Sequence, residues 1–129
     1  MDTENRVVIA GAGPVGLVSA MRLASFGIPV LVLEANDDLA IDLRASTFHP
    51  PTLDMLDEYG ITQQLIDTGL TARSWQYRDR ETGERAEFDL GLIDDQTAHP
   101  YRVQCEQHKM TRMVLEKIRR VFVRYLSIF

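Results

Sequence analysis

Three glycines near the amino terminus have the spacing of a phosphate-binding turn. Gly11, Gly13 and Gly16 form the pattern G-x-G-x-x-G. The first glycine lets the chain turn sharply, the second lets a pyrophosphate approach the backbone, and the third lets a helix pack closely on a strand. Pro14 and Val15 begin the helix that follows, where the missing N–H of proline costs no hydrogen bond. The free N–H groups and the positive dipole end of that helix attract phosphate oxygens.

An acidic residue completes this pattern. Glu34 follows the glycine turn at about the 20-residue spacing of an acid that holds an adenosine ribose. Its carboxylate can accept hydrogen bonds from ribose hydroxyls and repels a 2′-phosphate, so the site disfavours NADP and leaves FAD or NAD. Ala35, directly after Glu34, belongs to the same predicted cofactor-binding set.

The elements that must position these residues are a strand, a helix and a second strand. Residues 6–10 are rich in Val and Ile, which is typical of a strand buried on both faces. The pattern predicts a helix over 15–26, ended by Gly27, and a strand over 28–33. Because all these parts occur in the right order, the glycine pattern is a strong signal. The alternative is a βαβ unit whose glycine turn binds no ligand.

Beyond this unit, the spacing of apolar residues changes twice. Two short helices are predicted over 52–59 and 61–68, each followed by glycine. From Arg73, apolar and polar residues alternate on both sides of a Glu-Thr-Gly turn, which predicts a β-hairpin that starts a second sheet. Helical spacing then predicts a helix over 107–122, and residues 119–129 are predicted to run from a helix end into a strand.

Composition excludes several classes of function. The chain has 129 residues and a net charge of −5 without a basic patch, which argues against nucleic-acid binding. No apolar stretch is long enough to span a bilayer, and the polar start does not resemble a signal peptide. A single cysteine, Cys105, suits the cytoplasm, and the three scattered histidines lack metal-ligand spacing. We therefore expect no metal, no membrane and no nucleic acid as partners.

Together these features resemble one family, the FAD-dependent aromatic hydroxylases that include para-hydroxybenzoate hydroxylase and phenol hydroxylase. The resemblance implies an α/β fold in which a Rossmann-like βαβ unit binds FAD and an inserted β-hairpin begins the substrate sheet. It divides the chain into an FAD-binding unit with connecting helices (1–72), a hairpin segment of the substrate domain (73–104) and a helix that returns to the FAD-binding domain, with an atypical end (105–129). The sequence features that carry it are the GAGPVG turn, Glu34, the Leu43-Arg44-Ala45-Ser46 loop, the hairpin and Gln107-x-x-x-Thr111-Arg112.

The resemblance also implies roles for individual residues. The three glycines would line the FAD pyrophosphate, and Glu34 would bind the adenosine ribose. Arg44 would reach the pyrophosphate side of the cofactor, and Gln107 would hydrogen-bond near the ribityl chain. The implied function is that of a flavoprotein monooxygenase, an oxidoreductase that hydroxylates a small phenolic substrate with NADPH or NADH and O2. The catalytic residues stay unassigned.

The sequence also departs from that family. It contains neither the later Gly-Asp motif nor the Asp-Gly motif of the aromatic hydroxylases. We therefore expect a truncated member that is inactive alone, with unpaired sheet edges that allow a homo-oligomer. Two alternatives stay open: a non-catalytic flavin-binding fragment, and an NAD-dependent dehydrogenase domain. The second is disfavoured because a dehydrogenase would continue with βα units where this sequence has a hairpin.

Overall fold

The computed structural model describes residues 5–43, 45–121 and 126–128. The chain forms two compact units. One is built from Met1–Arg44 and Glu106–Phe129, and the other from Ala45–Cys105. The first contains the glycine turn and the second contains the hairpin. Within the described ranges, no helix is long and apolar enough to cross a membrane.

The first unit is a parallel sheet with two helices, which confirms the predicted α/β class. Its helices, α1 and α4, pack against each other, and α1 also packs on the sheet. The strand order is β1-β2-β8, and all pairs are parallel. The bounds are β1 Val7–Ala10, α1 Pro14–Ser25, β2 Val30–Leu33, α4 Gln107–Val121 and β8 Leu126–Ile128. The predicted helix-to-strand change near the carboxyl end is present, although residues 122–125 and 129 lie outside the described residues.

The core of the first unit lies where α1 packs against β2 and against α4. From α1 it takes Leu17, Ala20, Met21 and Ala24, and from β2 it takes Val30 and Val32. Burial of each larger apolar side chain stabilises the fold by about 1.5–3 kcal/mol. Helix α4 contributes Met110, Val114, Leu115 and Ile118.

Strand β1 corrects one sequence-based expectation. Its apolar run predicts burial on both faces, but Val8 is 56% exposed and Val7 is also exposed. The reason is its place in the sheet: among the described strands, β1 pairs only with β2 and forms the edge of the order β1-β2-β8. An apolar run therefore identified the strand correctly but not its surroundings.

The second unit combines two short helices with antiparallel strands. Helix α3 and the hairpin strands β5 and β6 occupy the predicted stretches, whereas the very short β3 and β4 were not predicted. Strand β7 lies between β3 and β4 in one sheet, and the hairpin forms its own two-stranded sheet. The bounds are β3 Thr47–Phe48, α2 Pro50–Asp57, α3 Ile61–Thr68, β4 Leu70–Ala72, β5 Ser74–Arg78, β6 Arg85–Asp89, a 3-10 turn Leu90–Ile93 and β7 Arg102–Gln104.

These compact units divide the chain differently from the predicted segments. The prediction grouped the connecting helices with the FAD-binding unit, but α2 and α3 lie in the same compact unit as the hairpin. The strand pairing explains why these helices group with the hairpin. Strands β3 and β4 flank the helices in sequence, and both pair with β7. Helices α2 and α3 pack against each other, and Leu53 and Leu56 of α2 and Ile61 and Leu65 of α3 are buried.

Candidate functional site

The turn between β1 and α1 requires glycine at two positions for reasons internal to the protein. Gly11 has φ +98°, a left-handed conformation that side chains rarely adopt. At Gly16, a Cβ would lie 2.1 Å from the carbonyl oxygen of Gly11, so any side chain would collide with backbone. These two glycines shape the turn.

Gly13 differs from its two neighbours in the motif. Its φ of −71° is open to any residue, and a Cβ placed there would meet nothing within 4 Å. The protein's own packing therefore gives no reason for glycine at this position. The open space beside the backbone is what a pyrophosphate needs for close approach.

The start of α1 leaves backbone donors for an anion. Gly13 is the N-cap residue, Pro14 occupies the first helical turn, and no side chain within the described residues caps this end. The carbonyl oxygen of Gly13 accepts the N–H of Leu17 at 2.9 Å, which begins the helix. Val15 is 78% exposed, so the first turn is open to solvent. A helix start of this kind binds phosphate through N–H groups and dipole.

Glu34 connects the end of β2 to the glycine turn. Its Oε2 accepts the N–H of Ala12 at 2.7 Å, and its Oε1 accepts the backbone N–H and side-chain Nδ2–H of Asn36 at 3.1 and 2.8 Å. The hydrogen bond from Ala12, followed by those from Asn36, lowers the pKa of Glu34 below its usual value. The carboxylate is therefore ionised at neutral pH, and its charge disfavours a phosphate on the ribose 2′ position.

A cavity of about 270 Å³ lies within the first unit beside these groups. Three stretches of chain line it: the glycine turn, the segment from Glu34 onward, and the first turns of α4. Its carboxylate, amide and imidazole groups stand among small apolar side chains, a mixture typical of cofactor sites. The lining residues are Ala12, Gly13, Pro14, Glu34, Asn36, Ala40, Asp42, Gln107, His108 and Thr111.

Four of the residues predicted from the sequence meet at this cavity, namely Gly13, Pro14, Glu34 and Gln107. Gly11 and Gly16 shape the turn behind it, as described above. Val15 and Ala35 adjoin lining residues in the chain without lining the cavity themselves. Arg44 lies outside the described residues, so its predicted role stays a prediction.

Sequence reasoning did not assign the other lining residues to the cofactor site. For Thr111 a signal was available, since it follows Gln107 by one helical turn in the Gln107-x-x-x-Thr111-Arg112 pattern. In the structure its hydroxyl donates to the Gln107 carbonyl at 2.9 Å. Asn36 could have been found as the polar residue closest after Glu34. Asp42 and His108 carried no such signal, because their meeting depends on how the segment after β2 folds against α4.

A second polar cluster lies in the other unit. His99 is buried, its Nδ1 lies 2.6 Å from Asp54 Oδ1, and its Nε2 lies 3.8 Å from Asp57 Oδ1. The hydroxyl of Thr97 donates to Asp54 Oδ2 at 2.7 Å. The hydrogen bond from His99 lowers the pKa of Asp54. This cluster joins α2 to the loop before β7, and no group of residues suited to hold a metal ion occurs within the described ranges.

Fold and site together define a dinucleotide-binding α/β protein. A family model described as "FAD binding domain" matches residues 4–125. The chain therefore belongs to this FAD-binding family, and the prediction of FAD as cofactor is confirmed.

Two similar proteins are named as monooxygenases. The chain is 34% identical over 130 residues to 6-hydroxy-3-succinoylpyridine 3-monooxygenase HspB of Pseudomonas putida (strain DSM 28022 / S16), covering 98% of this chain and 33% of the relative. It is 31% identical over 119 residues to para-nitrophenol 4-monooxygenase of Pseudomonas sp. (strain WBC-3), covering 92% and 30%. The chain thus spans about a third of the length of these relatives.

Solved structures give the same result. The p-nitrophenol 4-monooxygenase PnpA from Pseudomonas putida DLL-E4 matches with a TM-score of 0.86 and 29% identity, over 100% of this chain and 32% of that one. A ternary complex of aklavinone-11 hydroxylase with FAD and aklavinone matches with a TM-score of 0.76 and 26% identity, over 100% and 26%. The predicted resemblance to aromatic hydroxylases and the predicted FAD-binding fold are confirmed.

Proposed function

We propose that this chain is the FAD-binding part of a flavin-dependent monooxygenase that hydroxylates a phenolic substrate with NAD(P)H and O2. The observation that carries the proposal is the cavity, which brings the glycine turn, Glu34 and Gln107 together in a member of an FAD-binding family. The printed names of the relatives, which include a para-nitrophenol monooxygenase, support an aromatic substrate.

The residues present fit the adenosine and pyrophosphate portions of FAD. The open space at Gly13 and the uncapped start of α1 suit the pyrophosphate, and the ionised Glu34 suits ribose hydroxyls. Pro14 begins α1 at a position where its missing N–H costs no hydrogen bond, and Gln107 from the start of α4 also lines the cavity. Bound FAD would supply the redox and oxygen chemistry, and this part of the chain would hold and orient it.

Further proposals concern individual residues, self-association, the electron donor and the location of the protein. Arg44 would reach the pyrophosphate from the segment after the cavity wall, and Val15 and Ala35 would adjoin the cofactor through their backbones. The exposed edge of β1 supports self-association, because an unpaired strand edge can accept another strand. NADPH or NADH would serve as the electron donor, and a cytoplasmic location agrees with the single cysteine.

Binding of FAD to the purified chain tests the proposal directly. Titration followed by flavin absorbance and by calorimetry should give saturable binding, with FAD bound more tightly than NAD. Gly13→Ala should weaken FAD binding, because its Cβ would project into the open space beside the backbone. Absence of FAD binding, or tighter binding of NAD, would contradict the assignment.

A second candidate is flavin binding without turnover by this chain alone. It is favoured by the coverage, since the chain spans only 33% of the length of HspB. NAD(P)H oxidation by the FAD-loaded chain, measured with and without a phenol, separates the two. Phenol-stimulated oxidation would exclude the second candidate, and FAD binding without it would support that candidate.

A further inference from the structure

One wall of the cavity is a segment without helix or strand. Residues 35–43 follow β2, and three of them, Asn36, Ala40 and Asp42, line the cavity. Leu39 is the buried apolar residue of this segment. Because a single buried side chain anchors an irregular segment only weakly, the polar contacts that hold it decide whether the wall is formed.

Two residues of α4, one helical turn apart, make such contacts with the segment. Arg112 donates from Nη1 to Asp38 Oδ1 at 3.0 Å and from Nη2 to Oδ2 at 3.1 Å, a two-pronged pairing of guanidinium and carboxylate. His108 Nδ1 lies 3.3 Å from the carbonyl oxygen of Asp42. These contacts join chain positions far apart in sequence. One holds the segment at Asp38, between the lining residues Asn36 and Ala40, and the other holds it at Asp42.

Asp38 is itself held in place for this pairing. Its Oδ1 also accepts the N–H of Leu39 at 2.8 Å. The hydrogen bond from Arg112, and then that from Leu39, lowers the pKa of Asp38, and the same pairing raises the pKa of Arg112. Both groups are therefore charged at neutral pH.

We propose that the Arg112–Asp38 pair is a positioning element of the cofactor site, which holds segment 35–43 against α4 so that the cavity wall exists before FAD binds. Neither side chain lines the cavity, so the pair acts through Asn36, Ala40 and Asp42. This inference rests on the proposed FAD site. It adds Asp38, which no motif marks, and gives a role to Arg112, which the resemblance includes only as part of a sequence pattern.

The pair should affect cofactor affinity more than folding. The side chains of Arg112 and Asp38 are 42% and 66% exposed, and exposed ion pairs contribute little to global stability. If the wall is formed in only a fraction of molecules, the apparent dissociation constant rises by the inverse of that fraction. Loss of the pair should therefore weaken FAD binding by about two- to fivefold without changing the melting temperature of the FAD-free chain appreciably.

Charge reversal and its rescue test the proposal. Arg112→Asp opposes two carboxylates and should weaken FAD binding at least as much as simple loss of the pair. The double variant Asp38→Arg/Arg112→Asp restores opposite charges and should return the dissociation constant to within about twofold of the original. A merely structural role of Arg112 would not be rescued by a second reversal at Asp38.

A matched pair in the other unit supplies the control. Arg73 and Asp89 form an exposed ion pair at 3.1 Å in the second unit. Arg73→Asp should leave FAD affinity unchanged. If Arg112→Asp fails to fold, Arg112→Gln removes the charge without repulsion and is expected to weaken binding two- to fivefold.

The outcomes separate this inference from the proposed function. If the unaltered chain does not bind FAD, the proposed function itself is wrong. If that chain binds FAD and Arg112→Asp and Arg112→Gln bind it equally well, only the positioning role is overturned. Equal weakening in the single and double reversal variants would also overturn it, because pairing of opposite charges would then not be the cause.

Discussion

At the scale of residues, the glycines of the turn separate into those the fold needs and one the ligand needs. A Cβ at Gly16 would approach backbone to 2.1 Å, whereas a Cβ at Gly13 would meet nothing within 4 Å. Gly16→Ala should lower the free energy of unfolding by at least about 2 kcal/mol. Gly13→Ala should lower it by about 1 kcal/mol or less, the cost of a poorer N-cap, while weakening FAD binding.

Urea unfolding and FAD titration of the two glycine variants check this pair of expectations. The original chain and Gly27→Asn, a change at a helix end that tolerates positive φ, serve as controls. Equal losses of stability in Gly13→Ala and Gly16→Ala, with FAD affinity unchanged in Gly13→Ala, would show that both glycines serve the fold alone.

Glu34 should make stability depend on pH in the acid range. Hydrogen bonds from Ala12 and then Asn36 lower its pKa in the folded protein below the ordinary value of 4.5. Because the pKa is lower in the folded state, ionised Glu34 stabilises the folded state fully at pH values above its unfolded-state pKa. This stabilisation is lost as the pH falls through the lower folded-state pKa. The original chain should therefore lose more stability between pH 5 and pH 3 than Glu34→Gln does.

Urea unfolding at several pH values measures that difference. Glu81→Gln removes one carboxylate from the exposed hairpin turn and serves as the matched control. Identical pH profiles for the original chain and Glu34→Gln would mean that the hydrogen bonds to Glu34 do not persist in solution.

At the scale of elements, periodicity decided which parts were predictable. The bounds of α3 and of the hairpin follow from patterns that extend over several residues. Strands β3 and β4 have two and three residues, too few to show alternation, so the sheet they form with β7 was not foreseen. The burial of β1 was mispredicted because an apolar run indicates a strand but does not show which elements pack on its faces.

The hairpin offers a test of how cross-strand pairs hold an exposed element. Trp75 and Phe88 face each other in the register, and their rings stack with centroids 4.2 Å apart. All residues of both strands are exposed, so such pairs rather than core burial stabilise it. Phe88→Ala should therefore destabilise the hairpin by about 0.5–1.5 kcal/mol.

Fluorescence reports that change directly, because Trp75 is the single tryptophan of the chain. Its emission should shift to longer wavelength in Phe88→Ala, since the ring loses its stacking partner and gains water. Phe26→Ala, in the other unit, should leave the emission unchanged. An unshifted spectrum in Phe88→Ala would argue against the stacked geometry.

At the scale of the whole molecule, the candidate site depends on chain segments that are distant in sequence. The cavity unites the glycine turn with the start of α4, and the sequence linked Gln107 to this region only through family resemblance. Glycine spacing and Glu34 could be predicted because they follow a local βαβ pattern. The contacts of Asp38 with Arg112 and of Asp42 with His108 could not, because no local pattern specifies how an irregular segment folds onto a helix.

The division into two compact units predicts where bound FAD will stabilise the chain. Ligand binding to the folded state adds about 2.7 kcal/mol at 100 times the dissociation constant. The cavity lies within the unit that contains α1 and α4, whereas the hairpin belongs to the other unit. Hydrogen exchange with saturating FAD should therefore slow most in α1, in residues 35–43 and at the start of α4, with little change in β5 and β6.

Arg112→Gln should reduce the slowing in residues 35–43 more than in α1, because it weakens the wall and leaves the glycine turn intact. Equal slowing across both units would instead mean that FAD stabilises the chain as one cooperative body.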